Sequence, residues 1–329
     1  VIICARNEAD NLRQNLPHVL QQQYAQNGVP EFEVVVVDDA STDETPQVLK
    51  SFCNEYRHLS VVTIPQDIQR DLPGKKFALR AGVKAAKYDH LLLTDADCAP
   101  ASRHWLSEMS APLDAGRKIV AGYGAYSAGP GLLNKFVRWE TMHSFLQSAS
   151  YTRAGKPYMA VGRNVACSRE MPERAQELEI WQKLPSGDDD LMVSRLATKT
   201  NIALVRRHGA FTVCKAPRSL SAWVAQKRRH LSTGKYYPAG IRMLLGLYGF
   251  THAAVWFYFI ALMFTPLRWA AIPVMAIRCL MYWFLWTVAI IKLREKKLAI
   301  WLPLMDVGWM LYNFTFLPYI LFKNKQRWN

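Results

Sequence analysis

Residues 32–44 read Phe-Glu-Val-Val-Val-Val-Asp-Asp-Ala-Ser-Thr-Asp-Glu, and this stretch decides the fold. The run Phe32–Val37 is β-branched and nearly unbroken, too short for a helix and without polar alternation, which marks a strand covered on both faces. It ends in Asp38-Asp39. Ser41-Thr42-Asp43-Glu44 then has the S-x-x-E form of a capping box, which predicts the start of a helix. The same alternation extends outward in both directions. Val1–Ala5 is a short apolar run, and Glu8–Tyr24 carries Leu12, Leu16, Val19 and Leu20 at helical spacing. Val61–Ile64 is a third strand, Gly74–Lys87 a third helix, and His90–Thr94 a fourth strand ending in Asp95. Apolar strands alternating with helices predict an α/β fold with a mostly parallel sheet. Ligands of such sheets bind beyond the carboxyl ends of the strands, where the acidic residues stand.

Past Asp97 the pattern is mixed. Lys118–Tyr126 and Tyr158–Cys167 read as strands flanking a helix at Leu132–Ser150, and Ser186–Ala197 and Pro217–Ser232 read as helices. Trp139, Met142 and Phe145 share a helical face and are expected in the core. Composition then changes. Residues 243–322 hold two acidic residues, Glu295 and Asp306. Three apolar segments, 243–264, 269–291 and 298–322, each approach the ~20 residues that span a bilayer. The second carries Arg278, and the third Asp306, Pro303 and Pro318. This predicts a domain at 1–235 that ends in an interfacial helix, followed by a membrane domain at 236–329 with two to three spans. The chain opens at Val1 inside an apparent strand, so an upstream segment is expected.

The formal net charge is +15. Nucleic acid is one partner such a charge suits, but no nucleic-acid-binding motif is present. Lys227, Arg228, Arg229, Lys235, Lys292, Arg294, Lys296 and Lys297 flank the apolar segments, which favours an anionic membrane surface. The six cysteines, Cys4, Cys53, Cys98, Cys167, Cys214 and Cys279, form no C-x-x-C pair. They are expected to be free thiols in a reducing compartment. The eight histidines show no metal-ligand spacing, and all but His230 read as packing or surface residues.

The chemistry lies in three acidic groups: Asp38-Asp39, Asp95-Ala96-Asp97 and Asp188-Asp189-Asp190. With 14 Asp in 329 residues, chance supplies roughly 0.6 D-x-D matches, so one match alone is weak. Position adds weight, because carboxylates at the mouths of neighbouring parallel strands converge. Like charges so gathered call for a cation or a shared proton, and hard oxygen donors with room for phosphates suit Mg²⁺ or Mn²⁺. The competing reading makes them turn and cap residues.

Taken in order, Ala5-Arg6-Asn7-Glu8, Val37–Asp43, Gly74-Lys75 with Ala78-Leu79, Asp95-Ala96-Asp97, Gly162-Arg163-Asn164, Gly187-Asp188-Asp189 and Gln226-Lys227-Arg228-Arg229-His230 resemble the inverting family 2 glycosyltransferases of GT-A fold. The resemblance covers about residues 1–235, and the apolar tail is similar to that family's membrane-bound branch. It implies that Asp38 and Asp39 contact base and ribose, and that Glu8 and Lys75 line the nucleotide pocket. It further implies that Asp95 and Asp97 hold the diphosphate through Mg²⁺ or Mn²⁺, and that one aspartate of 188–190 is the general base. Asp189 is favoured, because Met192 and Leu196 then take the family's apolar positions, with Asp188 the alternative. The family's Q-x-x-R-W element stands here as Gln226, Arg229 and His230, with His in place of Trp. These three share one helical face, while Leu220, Trp223, Val224 and Leu231 occupy another, as on a helix lying on a membrane. An ordinary basic helix beside the membrane is the alternative.

The resemblance implies transfer of a sugar from a nucleoside-diphosphate sugar, with inversion, to a lipid-linked glycan or glycolipid at the membrane. Two other classes fit less well. A GT-A-like nucleotidyltransferase would carry a glycine-rich loop near its first strand, and Ala5–Asn11 has no glycine. A membrane scaffold that binds nucleotide sugar without catalysis would lack the base or the carboxylates. The expected placement is a multi-pass protein of the cell membrane with the catalytic domain in the cytoplasm. The basic residues at 292–297 then lie inside, as the positive-inside rule requires. Lys323, Lys325 and Arg327 would break that rule if 298–322 crossed fully, which gives a slight lean to a cytoplasmic C-terminus.

Overall fold

The computed structural model describes residues 1–26 and 29–322. By compactness the described residues divide into two units, one of residues 1–127 and 141–216, the other of 128–140 and 217–322. The composition-based division near 235 instead assigns Pro217–Ser232 to the first domain.

The first unit is built on a seven-stranded sheet. In chain order the first elements are β1 (Ile2–Ala5), α1 (Ala9–Leu20), a small hairpin of β2 (Ala25–Gln26) and β3 (Val29–Pro30), and β4 (Val34–Asp39). After them come α2 (Thr45–Glu55), β5 (Leu59–Ile64), α3 (Lys76–Ala85), β6 (His90–Asp95), β7 (Cys98–Pro100) and α4 (Trp105–Asp114). Next are β8 (Ile119–Gly122), β9 (Gly124–Tyr126), α5 (Gly131–Arg153), β10 (Val165–Ser168), α6 (Glu170–Gln176) and α7 (Glu179–Lys183). The unit closes with α8 (Asp190–Leu196), β11 (Ile202–Val205) and β12 (Thr212–Cys214). Helix α5 runs from one unit into the other.

The main sheet has the order β11-β8-β10-β6-β1-β4-β5. All its neighbours are parallel except those of β10, which runs antiparallel to β6 and β8. The four valines Val34–Val37 are fully buried because β4 lies between β1 and β5 with helices over both faces. Register fixes the site: Ala5 of β1 sits beside Asp38, and Cys4 beside Asp95. The two acidic strand ends therefore flank β1. A second sheet, β7-β12-β9, lies in the same unit.

The second unit holds α9 (Leu220–Leu231), α10 (Ala239–Leu262), α11 (Arg268–Lys292) and α12 (Leu302–Phe322). By length and composition α10 and α11 qualify as membrane spans. Arg278 and Asp306, the charges carried by the second and third apolar segments, pair with each other, with Arg278 Nη2 3.1 Å from Asp306 Oδ1. Trp256 Nε1 donates to Asp306 Oδ2 at 3.2 Å. Residues Lys323, Lys325 and Arg327 lie outside the described residues.

Three local expectations are corrected. Ser41 and Glu44 form no capping box: Ser41 Oγ accepts from Asn7 N, Glu44 pairs with Arg13, and Asp43 accepts from Thr45 N at 2.9 Å instead. The helix expected from Ser186 begins only at Asp190, because Gly187 adopts φ +88° and Asp189 caps Asp190 N. Cys98 and Cys214, expected as free thiols, are joined in a disulfide. Their strands β7 and β12 pair antiparallel with these two residues opposite each other, a closeness that 116 residues of separation conceal in the sequence.

Candidate functional site

The first two strand–helix loops are knitted together before any ligand enters. Asn7 and Ala40 both adopt φ 58°, and each turns its loop back over a strand end. Asn7 N donates to Ser41 Oγ at 3.0 Å, and Thr42 N to Asn7 Oδ1 at 2.8 Å. Glu8 N donates to Thr45 Oγ1 at 2.9 Å, and Ala9 N to Asp43 Oδ2 at 3.2 Å. Glu8 is thereby held at the start of α1, where its carboxylate accepts from Asn11 at 2.6 Å. Burial raises its pKa, the Asn11 bond opposes that, and Asp95 and Asp43 add to it.

At the end of β4, Asp38 and Asp39 are both buried. Asp38 Oδ1 accepts from Ser41 N at 3.2 Å, and Asp39 pairs with Arg70 at 2.6 Å. Lys75 forms an ion pair with Asp95. Burial works against its charge, but Asp95, Cys4 and Asp188 together outweigh this and hold the ammonium above its ordinary pKa. Asp188 contributes in the same direction, so the third acidic group lies within electrostatic reach of the first two strand ends.

Asp97 is half-buried. Burial and then Asp95 raise its pKa, while the Arg163 guanidinium opposes them. A carboxylate so placed gains from a cation. Its Oδ1 lies 3.2 Å from Cys98 Sγ. The ligand atoms of Asp97, Cys98 and Cys214 fall within 4.8 Å of one another. With the sulfurs bonded to each other, the donors on offer are carboxylate oxygens, which fit Mg²⁺ or Mn²⁺ rather than a thiophilic metal.

Gly162-Arg163-Asn164 is the hub beneath this group. Asn164 is fully buried and accepts from Trp105 Nε1 at 3.0 Å while donating to Tyr123 O at 3.0 Å and Ala210 O at 2.8 Å. The Arg163 carbonyl accepts from Thr94 and Thr212 at 3.0 and 3.1 Å. Its guanidinium donates to Gly124 O at 2.8 Å and lies 4.3 Å from the Tyr126 ring.

Gly162 N donates to Asp189 Oδ2. A Cβ at 162 would stand 3.0 Å from that oxygen, so the carboxylate would have to give by a few tenths of an ångström. Asp190 N donates to Asp189 Oδ1 at 2.8 Å. Burial, then Asp188 and Asp190, push the Asp189 carboxyl up to about 8 against those two N–H bonds. A carboxylate of that basicity suits proton abstraction near neutral pH. Trp181 Nε1 donates to the Asp188 carbonyl at 3.3 Å.

The first unit thus brings together Glu8, Asp38, Asp39, Lys75, Asp95, Asp97, Asp188 and Asp189. Gln226, Arg229 and His230 belong to the second unit. On α9 the buried positions are Trp223 and Lys227, because Trp223 packs on Phe136, Tyr312 and Phe316 while Lys227 pairs with Glu140. Sequence reading gave no role to Arg70, Lys76 or Arg163. For Lys76 a signal existed: it shares helical spacing with the core residues Leu79 and Val83, an unusual place for a lysine.

A mostly parallel sheet with acidic strand ends and a D-x-D triplet closing β6 is the arrangement of a glycosyltransferase of the GT-A class. The family model for Glycosyl transferase family 2 matches residues 1–173, over half of the 329-residue chain, and the chain belongs to that family. It is 31% identical over 106 residues to Glycosyltransferase AglE of Haloferax volcanii, covering 32% of each chain. It is 25% identical over 243 residues to Probable glycosyltransferase YdaM of Bacillus subtilis, covering 72% of this chain and 55% of that one. Poly-beta-1,6-N-acetyl-D-glucosamine synthase of Staphylococcus epidermidis is 27% identical over 29% of this chain and 21% of its own. The chain therefore spans between about a fifth and just over half of these curated relatives. Among solved structures, S. aureus TarS 1-349 in complex with UDP-GlcNAc is similar at TM-score 0.47 and 19% identity, covering 66% of this chain and 58% of that one. Glucosyl-3-phosphoglycerate synthase from Mycobacterium tuberculosis, in complex with Mn²⁺, UDP and glucosyl-3-phosphoglycerate, has TM-score 0.47 and 19% identity, covering 70% of this chain and 76% of that one.

Proposed function

We propose that the protein transfers a sugar from a nucleoside-diphosphate sugar to a membrane-associated acceptor, a lipid-linked glycan or glycolipid, with inversion. The observation that carries the reading is the gathering of Asp38-Asp39 and Asp95-Ala96-Asp97 at the carboxyl ends of β4 and β6, either side of β1, with Asp188 within electrostatic reach of Lys75, which pairs with Asp95. Asp38, Asp39 and Glu8 line the nucleoside end. Asp97, with Asp95, would hold Mg²⁺ or Mn²⁺, which when bound would neutralise charge on the diphosphate. Lys75 adds positive charge at the same end. Asp189 takes the proton of the acceptor hydroxyl, with Asp188 as the close alternative. A single displacement by that hydroxyl inverts the anomeric centre.

Family membership and relatives named as glycosyltransferases support the transferase reading. Two helices apolar enough to span, with basic residues beside them, support a membrane location and a membrane-bound acceptor. Gln226, Arg229 and His230 are proposed to contribute to donor binding on the family pattern alone.

A thermal-shift screen of UDP-, GDP- and dTDP-sugars with Mn²⁺, followed by transfer assays in native membranes, tests the reading. One nucleotide should stabilise the protein only with the cation, and label should enter the lipid extract with the anomeric configuration inverted. Full transfer in excess EDTA would overturn the metal assignment, and label confined to water-soluble products would overturn the acceptor class.

A further inference from the structure

The base-bearing loop is held by a side chain that takes no part in the chemistry above. Lys76, the first residue of α3, is fully buried. Its Nζ donates to the carbonyls of Trp181 at 2.6 Å, Leu184 at 2.7 Å and Ser186 at 2.9 Å. The Trp181 ring lies 4.7 Å from the same nitrogen. An ammonium has three N–H donors and no acceptor, and three carbonyls use all of them. A buried cation is tolerated only when so satisfied, and here the satisfying groups are backbone, so the charge fixes the path of residues 181–186. Gly74 tightens the same seam. It adopts φ +65°, and any side chain there would press on the Pro185 carbonyl. Between them Lys75 turns the other way, to Asp95. One helix start therefore holds the D-x-D carboxylate with one lysine and the approach to Asp188–Asp190 with the next.

We infer that Lys76 is a positioning residue, which sets the loop bearing the general base in register with the donor site. The inference rests on the reading of Asp189 or Asp188 as that base. Displacing a catalytic group by about 1 Å costs up to ~10²-fold in rate, so the contribution of Lys76 should appear in turnover and not in donor affinity.

The test uses the full chain with Lys76→Met, which keeps length and removes every donor, and Lys76→Arg, which keeps charge and donors. Three quantities are measured: the affinity for UDP or GDP with Mn²⁺, kcat for transfer in membranes, and hydrogen exchange of residues 181–190. In Lys76→Met kcat should fall about 10- to 100-fold, nucleotide affinity should stay within about twofold, and exchange in 181–190 should rise. Lys76→Arg should recover part of the turnover. Turnover within twofold in a folded Lys76→Met protein would overturn the inference. So would parallel loss of affinity and turnover with unchanged exchange. If neither variant folds, Lys76 maintains the fold and the positioning role is rejected. Asp188→Asn and Asp189→Asn are assayed alongside: unimpaired transfer in both would remove the base assignment, while the exchange and turnover of Lys76→Met would still report on the loop.

Discussion

The Asp189 carboxylate has two backbone N–H groups on its oxygens and two aspartates beside it. Burial and the neighbouring charges win, and the carboxyl rises to about 8, against about 3.9 for an unperturbed aspartate. A base works ionised. Activity should therefore be present above that value and be lost as pH falls through it. The kcat/KM profile for acceptor should show its acid limb near 8, and a flat profile from about pH 5 to 9 would sink the assignment. Asp189→Asn should keep nucleotide affinity and lose transfer by about 10²–10⁴-fold. If Asp188→Asn behaves so instead, the base is its neighbour. Asp97→Asn should abolish the Mn²⁺-dependent part of nucleotide affinity, measured by titration with and without EDTA, while the melting temperature without nucleotide stays close to that of the parent. At this scale the positions of Asp38-Asp39 and Asp95 at strand ends were legible because their signal is local: aspartates closing an apolar run. Their partners were not. Arg70 reaches Asp39 from 31 positions away and Lys76 reaches carbonyls more than 100 positions on, and nothing in a single sequence marks such pairs.

Elements were legible where apolar periodicity decides them. The strands Val34–Asp39 and His90–Asp95 fell where their runs of valine and leucine put them. They were misread where a side chain has two possible partners. Ser41 and Glu44 carry the capping pattern, yet Asn7 and Arg13 claim them, because the loop after β1 lies against the loop after β4. The pairing of β7 with β12 makes a covalent prediction. Unreduced, denatured protein should titrate with four thiols, Cys4, Cys53, Cys167 and Cys279, and reduction should expose Cys98 and Cys214 as well. Six thiols without reductant would contradict the bond. In the second unit, Arg278 on α11 and Asp306 on α12 form a pair in which Asp306 is buried. Removing one partner leaves a buried charge, which costs about 3–5 kcal/mol, whereas removing both is often near neutral. Arg278→Met should thus lower the melting temperature in detergent far more than the double variant with Asp306→Leu.

For the whole molecule the open quantity is its arrangement across a membrane. Free thiols had been one argument for a cytoplasmic first unit, and the Cys98–Cys214 bond withdraws it for two of the six cysteines, since such bonds are uncommon in reducing compartments. The remaining argument is electrostatic. If α10 and α11 both cross, the two ends of that hairpin lie on one side. Arg242 sits near one end, and Lys292, Arg294 and Lys297 cluster at the other. On the positive-inside rule the proposed placement of this end is the cytoplasm. Among the described residues no other candidate span precedes α10, so on that proposal the first unit would share the side on which a cytoplasmic donor is available. Single cysteines introduced as Arg103→Cys, Lys297→Cys and Thr265→Cys test the arrangement with a membrane-impermeant maleimide on intact cells, scored against the parent chain. Position 265, in the short link between α10 and α11, should label from outside, whereas 103 and 297 should label only after the membrane is opened. Labelling of 103 in intact cells would place the carboxylates on the wrong side for a cytoplasmic donor and overturn the proposed orientation, whatever the fate of α12.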